Sequence, residues 1–201
     1  EELHRFPTQG MTLGSTVRWN VYRFYEEMLA ALGKYAQKYG EELTSVGVDA
    51  WGDDYGLLDA EGNLIELPYC YRDARTVGTD ALMDETVGKS RVYALTGGQF
   101  LIFNTLNQLI ASVRNGDKAL AEADKLLFIA DLLHNFLCGS ECTEYTAPSI
   151  TQLIDTRTER WVDELFQTFN IPQHFLPPIV HAGDTVGTLH ARLATQAGLR
   201  S

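Results

Sequence analysis

Cysteine is scarce in this chain, and no second cluster of cysteines is present that would complete a zinc site. The three cysteines, Cys70, Cys138 and Cys142, cannot all pair within one chain, so reduced thiols are the simplest interpretation. Cys138 and Cys142 lie four positions apart, which keeps a redox or metal role open as an alternative. The five histidines show no pair at the spacing of helical metal ligands. We therefore expect no metal site in this chain.

Positive charge and long apolar runs are also missing. The chain carries 16 Lys and Arg against 27 Asp and Glu, a formal net charge of −11. Nucleic acids and anionic membranes need clustered positive charge, and the basic residues here are scattered, so we expect neither partner. No apolar run approaches the ~20 residues that span a bilayer, and residues 1–5 do not resemble the basic start of a signal peptide. The sequence predicts a cytoplasmic protein.

Helical periodicity is the commonest pattern in what the sequence does contain. Asn20 is predicted to cap a long helix that ends near Tyr39, with Gly40 as its stop. A helix capped by Thr158 is predicted to carry Trp161, Leu165 and Phe169. Apolar spacing and glycine stops predict four further helices, over residues 79–87, 91–96, 105–114 and 125–137.

Strand patterns are fewer. Residues 44–50 lack helical periodicity and are rich in β-branched residues, which predicts a buried strand. A second strand is predicted at 55–58, followed by a hairpin turn at Gly62-Asn63. A buried strand needs neighbours on both sides, and the chain supplies few candidates. Residues 3–6 read like the inner part of another strand. We therefore predict an α/β fold with an incomplete sheet, in a chain whose beginning is missing.

Polar side chains gather where the predicted strand ends. Residues 46–51 lead directly into Gly52, Asp53 and Asp54, and the chain returns at residues 71–75 with tyrosine, arginine and aspartate. Enzymes of α/β type bind ligands beyond the carboxyl ends of their strands, where a glycine lets the backbone approach and polar groups hold hydroxyls. The pattern predicts a hydroxyl-rich ligand, and a sugar is the first candidate.

Four blocks of this sequence carry a resemblance to a known family: VDAWGDDYGLLD at 48–59, PYCYRDART at 68–76, GQFLIFNTLNQL at 98–109, and EYTA with TQL within 144–153. They resemble the rhamnulokinases, which belong to the FGGY carbohydrate kinases. The resemblance runs in order from His4 to Leu189, and several blocks at similar spacing are more specific than any single motif.

The resemblance implies a fold and an activity. The complete enzyme would have two actin-like ATPase (ribonuclease H-like) α/β domains with a cleft between them. It would transfer the γ-phosphoryl group of ATP, with Mg²⁺, to the 1-hydroxyl of L-rhamnulose in rhamnose catabolism. Residues 1–201 would be most of the N-terminal domain, with an incomplete sheet and a helix-rich insertion. The phosphate-binding Asp-x-Gly-x-x-Ser hairpin would precede residue 1, and the catalytic base would follow residue 201.

The resemblance therefore places no catalytic, cofactor-binding or metal-binding residue in this chain, and the chain alone is expected to be inactive. His181-Ala-Gly-Asp184 superficially suggests the catalytic base, but its surroundings match an earlier turn of the family, so Asp184 is rejected. What remains is positioning of the sugar, a main source of rate in phosphoryl transfer.

Gly52 is the first candidate for sugar binding. A glycine exposes its backbone to a ligand at close range, and the family contacts the ketose at the matching position. Its alternative role is a tight turn. Trp51 is predicted either to form an apolar wall for a sugar ring or to pack in the core. Asp53 and Asp54 accept hydroxyl hydrogen bonds in one reading and form structural pairs in the other. The family commonly has an apolar residue at position 53.

Two further groups complete the predicted site. Tyr71, Arg72 and Asp73 follow the turn, and Arg75 is expected to pair with Asp73 or Asp49, in a ligand site or a purely architectural ion pair. By resemblance, a loop closes over the sugar; its candidate residues are Gln99, Phe103 and Asn104. Asn104 as a helix cap and Phe103 as core are the alternatives.

Other functions stay open at this point. The chain is alternatively a non-catalytic carbohydrate-binding or regulatory protein, or part of a kinase for another ketose such as fuculose or xylulose. A glycoside hydrolase would need two carboxylates roughly 5 to 9.5 Å apart that face one bond, and neighbouring strand-end aspartates point to opposite sides. The expected partners are a small-molecule ketose and the remainder of the kinase chain, with a homo-oligomer possible.

Overall fold

The structure is a computed structural model that describes residues 1–200 and contains both helices and strands, as the α/β prediction requires. The helices are α1 (Val21–Tyr39), α2 (Thr79–Thr86), α3 (Lys89–Thr96), α4 (Thr105–Asn115), α5 (Lys118–Glu122), α6 (Ile129–Cys138), α7 (Thr146–Ser149), α8 (Asp163–Thr168) and α9 (Ala191–Ala197). The strands are β1 (Met11–Leu13), β2 (Thr16–Arg18), β3 (Tyr55–Leu58), β4 (Lys125–Phe128), β5 (Thr143–Glu144), β6 (Ile154–Asp155), β7 (Arg160–Trp161) and β8 (Ile179–Val180).

The strands form pairs rather than one wide sheet. β3 and β4 are antiparallel, with Tyr55 opposite Phe128 and Leu58 opposite Lys125. β1 pairs with β2 and β6 with β7, both antiparallel, whereas β5 and β8 are parallel. No helix within residues 1–200 combines the length and the hydropathy needed to cross a membrane.

The β3–β4 pair separates two apolar cores. Leu57 and Leu126 pack into the larger core, together with Leu106 of α4. Leu58 and Leu127 pack on the opposite face, against residues of α1 and α6 such as Phe24 and Leu132. Successive side chains of a strand point to opposite faces, so a strand covered on both sides is apolar throughout. This pair is therefore the rigid support on which the turn at 51–54 stands.

The long predicted helix is confirmed as α1. The Asn20 side chain accepts a hydrogen bond from the Arg23 amide at 3.2 Å, which caps the helix start. Gly40 ends the helix with a φ of +94°, and its amide donates to the Ala36 carbonyl at 2.9 Å. The helices predicted near 79–87, 91–96 and 105–114 are also confirmed, as α2, α3 and α4.

Two predicted helices need correction at their starts. Residues 125–128 form strand β4, because they pair with β3 and are covered on both faces, and helix α6 begins only at Ile129. Thr158 lies in a turn and caps no helix; Trp161 belongs to β7, and α8 follows at Asp163. In both places a short strand occupies the residues just before a real helix.

The predicted buried strand at residues 44–50 is wrong for the described structure, as is a strand at 3–6. Among residues 1–200, no strand is paired with either segment, and Val46 is 45% exposed. A segment rich in β-branched residues forms a strand only when a neighbouring strand supplies backbone hydrogen bonds. No strand within residues 1–200 pairs with either of these segments. The hairpin at Gly62-Asn63 is confirmed: Leu58 and Leu64 form an antiparallel bridge across it.

Candidate functional site

Asp54 is the centre of the strongest polar cluster in the described chain. Its Oδ2 accepts hydrogen bonds from the Trp19 indole at 2.6 Å, the Trp51 indole at 2.9 Å and the Tyr71 amide at 3.0 Å. Its Oδ1 accepts from the Gln108 carboxamide at 2.8 Å. Asp54 is fully buried, so burial raises its pKa while these donors favour the carboxylate. The turn at 51–54 is therefore held by the carboxyl group of one of its own residues.

Aromatic rings surround this carboxyl group. The Trp19 and Trp51 ring centroids lie 4.5 Å apart, and Phe24 meets Trp51 edge-on at 5.8 Å. Tyr71 lies 6.1 Å from Trp19 and 5.4 Å from Phe103. Trp51 is thus anchored on one side by packing and by its indole hydrogen bond, and it is half-buried. The predicted residues Trp51, Tyr71 and Phe103 come together around one place.

Asp53 is buried as well, and it faces helix α4. Its Oδ1 lies 3.3 Å from the Thr105 amide and 3.4 Å from the Asn104 carboxamide nitrogen, and both groups donate to it. Burial raises the pKa of Asp53 to about 7, against the effect of these donors, and the charge of neighbouring Asp54 acts in the same direction as burial. Helix α4 thus contacts both adjacent carboxyl groups, through Thr105 at Asp53 and Gln108 at Asp54, and the described partners of both are protein groups, which disfavours the glycosidase alternative.

Asn104 connects three segments. Its Oδ1 accepts from the Leu101 amide at 2.7 Å, and its Nδ2 donates to the Ile150 carbonyl at 2.8 Å as well as to Asp53. Asn104 is buried and stands before α4 without capping it through its own side chain. Its predicted capping role is therefore replaced by a joining role between the loop at 99–103, the segment at 150 and the turn at 51–54.

Gly52 is closely packed. A Cβ atom at this position would overlap the Cδ1 of Ile150 and lie 3.1 Å from its Cγ1. Only glycine leaves room for Ile150 here without a shift of that side chain. The glycine thus has a packing role in the structure, beside the ligand-binding role predicted from the sequence.

Two of the residues that follow the turn differ in burial: Asp73 is buried and hydrogen-bonded, whereas Arg72 is exposed. Asp73 accepts from the Val17 amide at 2.6 Å and from the Arg75 amide at 2.8 Å, so both of its oxygens are used. Arg72 is exposed, and its Nε donates to the Tyr71 hydroxyl at 3.2 Å. These contacts bring Tyr71 and Arg72 to the surface beside the aromatic cluster, whereas Asp73 points toward β2.

The predicted ion pair of Arg75 with Asp73 or Asp49 is wrong. The guanidinium donates to Ser112 Oγ at 2.8 Å and to Gln108 Oε1 at 2.7 Å, and it lies 3.7 Å from the centroid of the Tyr69 ring. Because Gln108 accepts from Arg75 and donates to Asp54, one carboxamide links the cation to the buried carboxyl group. The guanidinium of Arg75 therefore has the Gln108 carboxamide as a partner in place of a carboxylate.

Gln99 is exposed, and its carbonyl accepts from the Gln152 side chain at 2.8 Å. Gln152 is buried with a φ of +63°, and its Oε1 has no hydrogen-bond partner in the described chain. Three residues of the cluster were missed by sequence reasoning: Trp19, Gln108 and Gln152. Gln108 lies one helical turn after Asn104, which was a usable signal. Gln152 lies in the TQL block at 151–153, which was another signal. Trp19 had none, because its partner Asp54 is distant in sequence.

Two open grooves lie on either side of residues 43–51. One, of about 520 Å³, is lined mainly by apolar side chains of α1 and residues 3–8. The other, of about 800 Å³, runs toward residues 180–189 and includes Asp131. Thr143 Oγ1 donates to Asp131 at 2.6 Å, and burial raises the pKa of Asp131 to about 6. Within residues 1–200, no three acidic, histidine or cysteine side chains meet in a way that could hold a metal ion.

Comparison with known proteins gives consistent results. The model of the FGGY family of carbohydrate kinases, N-terminal domain, matches residues 5–201. A rhamnulokinase of Bacteroides thetaiotaomicron is 38% identical over 99% of this chain and 41% of its own length. A rhamnulokinase of Yersinia pestis is 36% identical over 94% of this chain and 39% of its length. The chain thus spans about two fifths of these curated relatives.

A solved structure supports the fold. The ligand-bound xylulose kinase from Lactobacillus acidophilus superposes with a TM-score of 0.86 at 15% identity, over 98% of this chain and 40% of that protein. At this identity the likeness concerns the fold alone. It confirms the predicted actin-like domain of mixed helices and strands.

Proposed function

The chain belongs to the FGGY family of carbohydrate kinases, and on that premise we propose that it is the sugar-binding part of an ATP-dependent rhamnulokinase. The complete protein would phosphorylate L-rhamnulose to L-rhamnulose 1-phosphate. The observation that carries this proposal is the 38% identity with a rhamnulokinase over 99% of the chain. The buried polar cluster at 51–54 supports it, because a preorganised turn is what orientation of an acceptor hydroxyl needs.

The proposed site residues fall into two groups, according to whether protein groups already use their polar atoms. Gly52, Trp51, Tyr71, Phe103, Gln99 and Arg72 would contact the ketose, since each leaves a backbone or side-chain surface outside the buried cluster. Asp73 and Asn104, whose polar atoms already have protein partners, would hold the turn and the loop in place. In this arrangement hydroxyl groups meet amide and guanidinium donors, and aromatic rings cover the apolar face of the sugar.

The proposal assigns the phosphoryl transfer itself to other parts of the protein. ATP is the donor that the family implies, and Mg²⁺ is expected with it. Within residues 1–200 no three acidic, histidine or cysteine side chains meet, and we propose that other parts of the protein hold the Mg²⁺ together with the phosphates of ATP. The residues of this chain would therefore bind the ketose, keep its 1-hydroxyl oriented and exclude water from one side of it.

We further propose that residues 1–201 form most of the N-terminal domain and that further strands of the same polypeptide complete its sheet. Residues 43–51 are extended, with an open groove on each side. One groove is lined mainly by apolar side chains, which suits a covering strand. The relatives are more than twice as long as this chain, so they contain residues that could supply such strands.

A coupled assay of ADP release tests the proposed activity. The full-length protein is supplied with ATP, Mg²⁺ and a panel containing L-rhamnulose, L-fuculose and D-xylulose. We expect release with L-rhamnulose at a kcat/KM at least about tenfold above the other ketoses, the discrimination that one hydroxyl contact commonly gives. No release with any ketose from a folded protein would favour a binding or regulatory role instead.

Xylulose remains the second candidate substrate, because membership of the FGGY carbohydrate kinases does not by itself fix which ketose is phosphorylated. The same panel separates the two possibilities. A preference for D-xylulose would retain the kinase assignment and change the sugar.

A further inference from the structure

Helix α4 is capped by a residue from outside the helix. Asn104 stands at the N-cap position, but its Oδ1 accepts from Leu101 in the preceding loop and leaves the first turn of the helix without a local cap. The Thr105 amide donates instead to Oδ1 of Asp53 at 3.3 Å. A carboxyl group at a helix N-terminus accepts a hydrogen bond from a backbone amide that has no partner within the helix. When ionised, it also interacts favourably with the helix dipole. Asp53 therefore takes a role that helices usually assign to their own sequence.

The main chain of Asp53 binds the same turn of α4. Its carbonyl oxygen accepts from Thr105 Oγ1 at 2.8 Å and from the Gln108 carboxamide at 3.2 Å. The φ of Asp53 is +69°, in the left-handed region that non-glycine residues seldom adopt. Such a conformation persists when the surrounding contacts determine it, and here three groups of α4 hold one residue.

These contacts bridge the two halves of the candidate site. Asp53 follows Gly52 directly, and α4 follows the loop at 99–103 directly. Asn104 adds a second link, since it donates to Asp53 and accepts from Leu101. The separation of the turn and the loop is thus set mainly where residue 53 meets the start of α4.

We propose that Asp53 is a positioning residue that fixes the loop at 99–103 against the turn at 51–54 and thereby sets the affinity for the ketose. The inference rests on the proposed function, because it assumes that the turn and the loop form two walls of one sugar pocket. Asp53 itself does not contact the sugar: it is 4% exposed, and its described partners are protein groups.

The contact depends on pH. The one charged group facing Asp53 is the buried carboxyl of Asp54, while its other neighbours, Asn104, Thr105 and Gln108, are neutral. Burial raises the pKa of Asp53 to about 7. If the loop moves away and water reaches the carboxyl group, its pKa returns to about 4. Between pH 4 and 7, the form in which the loop contacts Asp53 then binds more protons than the form in which the loop has moved away. The free energy that favours the contact therefore falls as pH rises from about 4 to 7, and it changes little above pH 7.

The test uses the full-length protein and ketose binding by calorimetry without ATP, over pH 5 to 8, with L-rhamnulose as the probe. Asp53→Asn keeps the shape and an acceptor but removes the titration, whereas Asp53→Leu removes the acceptor. Glu85→Gln, which removes an exposed carboxyl on helix α2, is the matched control. Thermal unfolding verifies that each variant is folded.

We expect the wild type and Glu85→Gln to lose affinity as pH rises toward 7, and Asp53→Asn to lack this change. Asp53→Leu should bind at least roughly tenfold more weakly, because the Thr105 amide and the Asn104 carboxamide lose a buried acceptor. In turnover, KM should rise more than kcat falls. A wild-type pH profile in Asp53→Asn together with wild-type affinity in Asp53→Leu would overturn the inference.

Failure of the proposed function gives a different result. If the wild type binds no ketose, hydrogen exchange of the amides at 99–106 still reports the positioning. Faster exchange in Asp53→Leu than in Glu85→Gln would retain the role of Asp53 in holding the loop, and equal exchange would remove it. The sugar assignment and the positioning role are thus judged by separate measurements.

Discussion

Two adjacent stretches of this chain differ sharply in how they are held. The turn at 51–54 contains two buried carboxyl groups that accept from indoles, amides and a carboxamide. The preceding residues 44–50 are extended and largely exposed, and no described strand pairs with them. The order of the turn comes from contacts within residues 1–200, whereas residues 44–50 have the sequence of a strand without its neighbours. An ordered polar turn can therefore follow directly after a stretch with which no described strand pairs.

The largest effect is expected from Asp54→Ala. This change leaves the two indoles, the Tyr71 amide and the Gln108 carboxamide without their common acceptor in a buried place. We expect a loss of about 4 kcal/mol in the free energy of unfolding, since each unpaired buried donor is costly. Urea unfolding followed by tryptophan fluorescence measures it. Asp49→Ala, at an exposed position, should cost under about 0.5 kcal/mol, and equal losses would refute the contrast between the stretches.

A somewhat smaller effect concerns Asp131, which lines the groove beside residues 44–50. Burial raises its pKa to about 6, so the folded state binds more protons than the unfolded state between pH 4 and 6. Stability should therefore fall by roughly 2 to 3 kcal/mol as pH rises through this window. Asp131→Asn should remove this part of the pH dependence. If urea unfolding of the variant at pH 4 and pH 6.5 shows the wild-type difference, Asp131 is not the group responsible.

Gly52→Val should cost about 2 kcal/mol, typical of overpacking, because the new side chain meets Ile150. If Gly52 contacts the ketose, the same side chain should also raise the ketose KM by crowding the ligand. The double variant Gly52→Val with Ile150→Ala separates these causes. Recovery of stability with a persistently high KM would support a ligand role for Gly52, whereas recovery of both would leave it a packing residue.

The smallest effect is expected in the exposed stretch. Val46→Ser in the chain of residues 1–201 should change stability by under about 0.5 kcal/mol, because Val46 is 45% exposed. In the full-length protein the same change should cost about 1 kcal/mol or more if strands cover this segment. Thermal unfolding of both forms tests this, and an equally small effect in both would argue against completion of the sheet at residues 44–50.

Local signals explain which parts of the fold were predictable. Asn20 and Gly40 mark the ends of α1 in the sequence, and both act as expected. Residues 125–128 were predicted to be helical because this apolar strand leads directly into a helix, with no glycine, proline or other turn residue between them. Only the pairing with β3 shows that they form a strand. Residues 44–50 carry a strand pattern, but a pattern cannot provide the partner that makes a strand.

The candidate site shows the same limit. Trp51, Gly52, Tyr71 and Phe103 were identifiable from motifs, and the structure brings them together. The residues that contact and position them were harder to predict from the sequence. Arg75 was expected beside a carboxylate and instead donates to Gln108, because a carboxamide can relay between a cation and a buried acid. Tertiary contacts of this kind have no sequence spacing, so the first turn of α4 gave no hint that Asp53 caps it.

Hydrogen exchange of the full-length protein with and without L-rhamnulose is the most direct test of whether the turn and the loop form the sugar site. We expect the sugar to slow exchange of the amides at 51–54, 71–72 and 99–104, and to leave exchange in the exposed helix α2 unchanged. Slower exchange confined to other parts of the protein, with these three segments unaffected, would contradict the assignment of the turn and the loop as the sugar site.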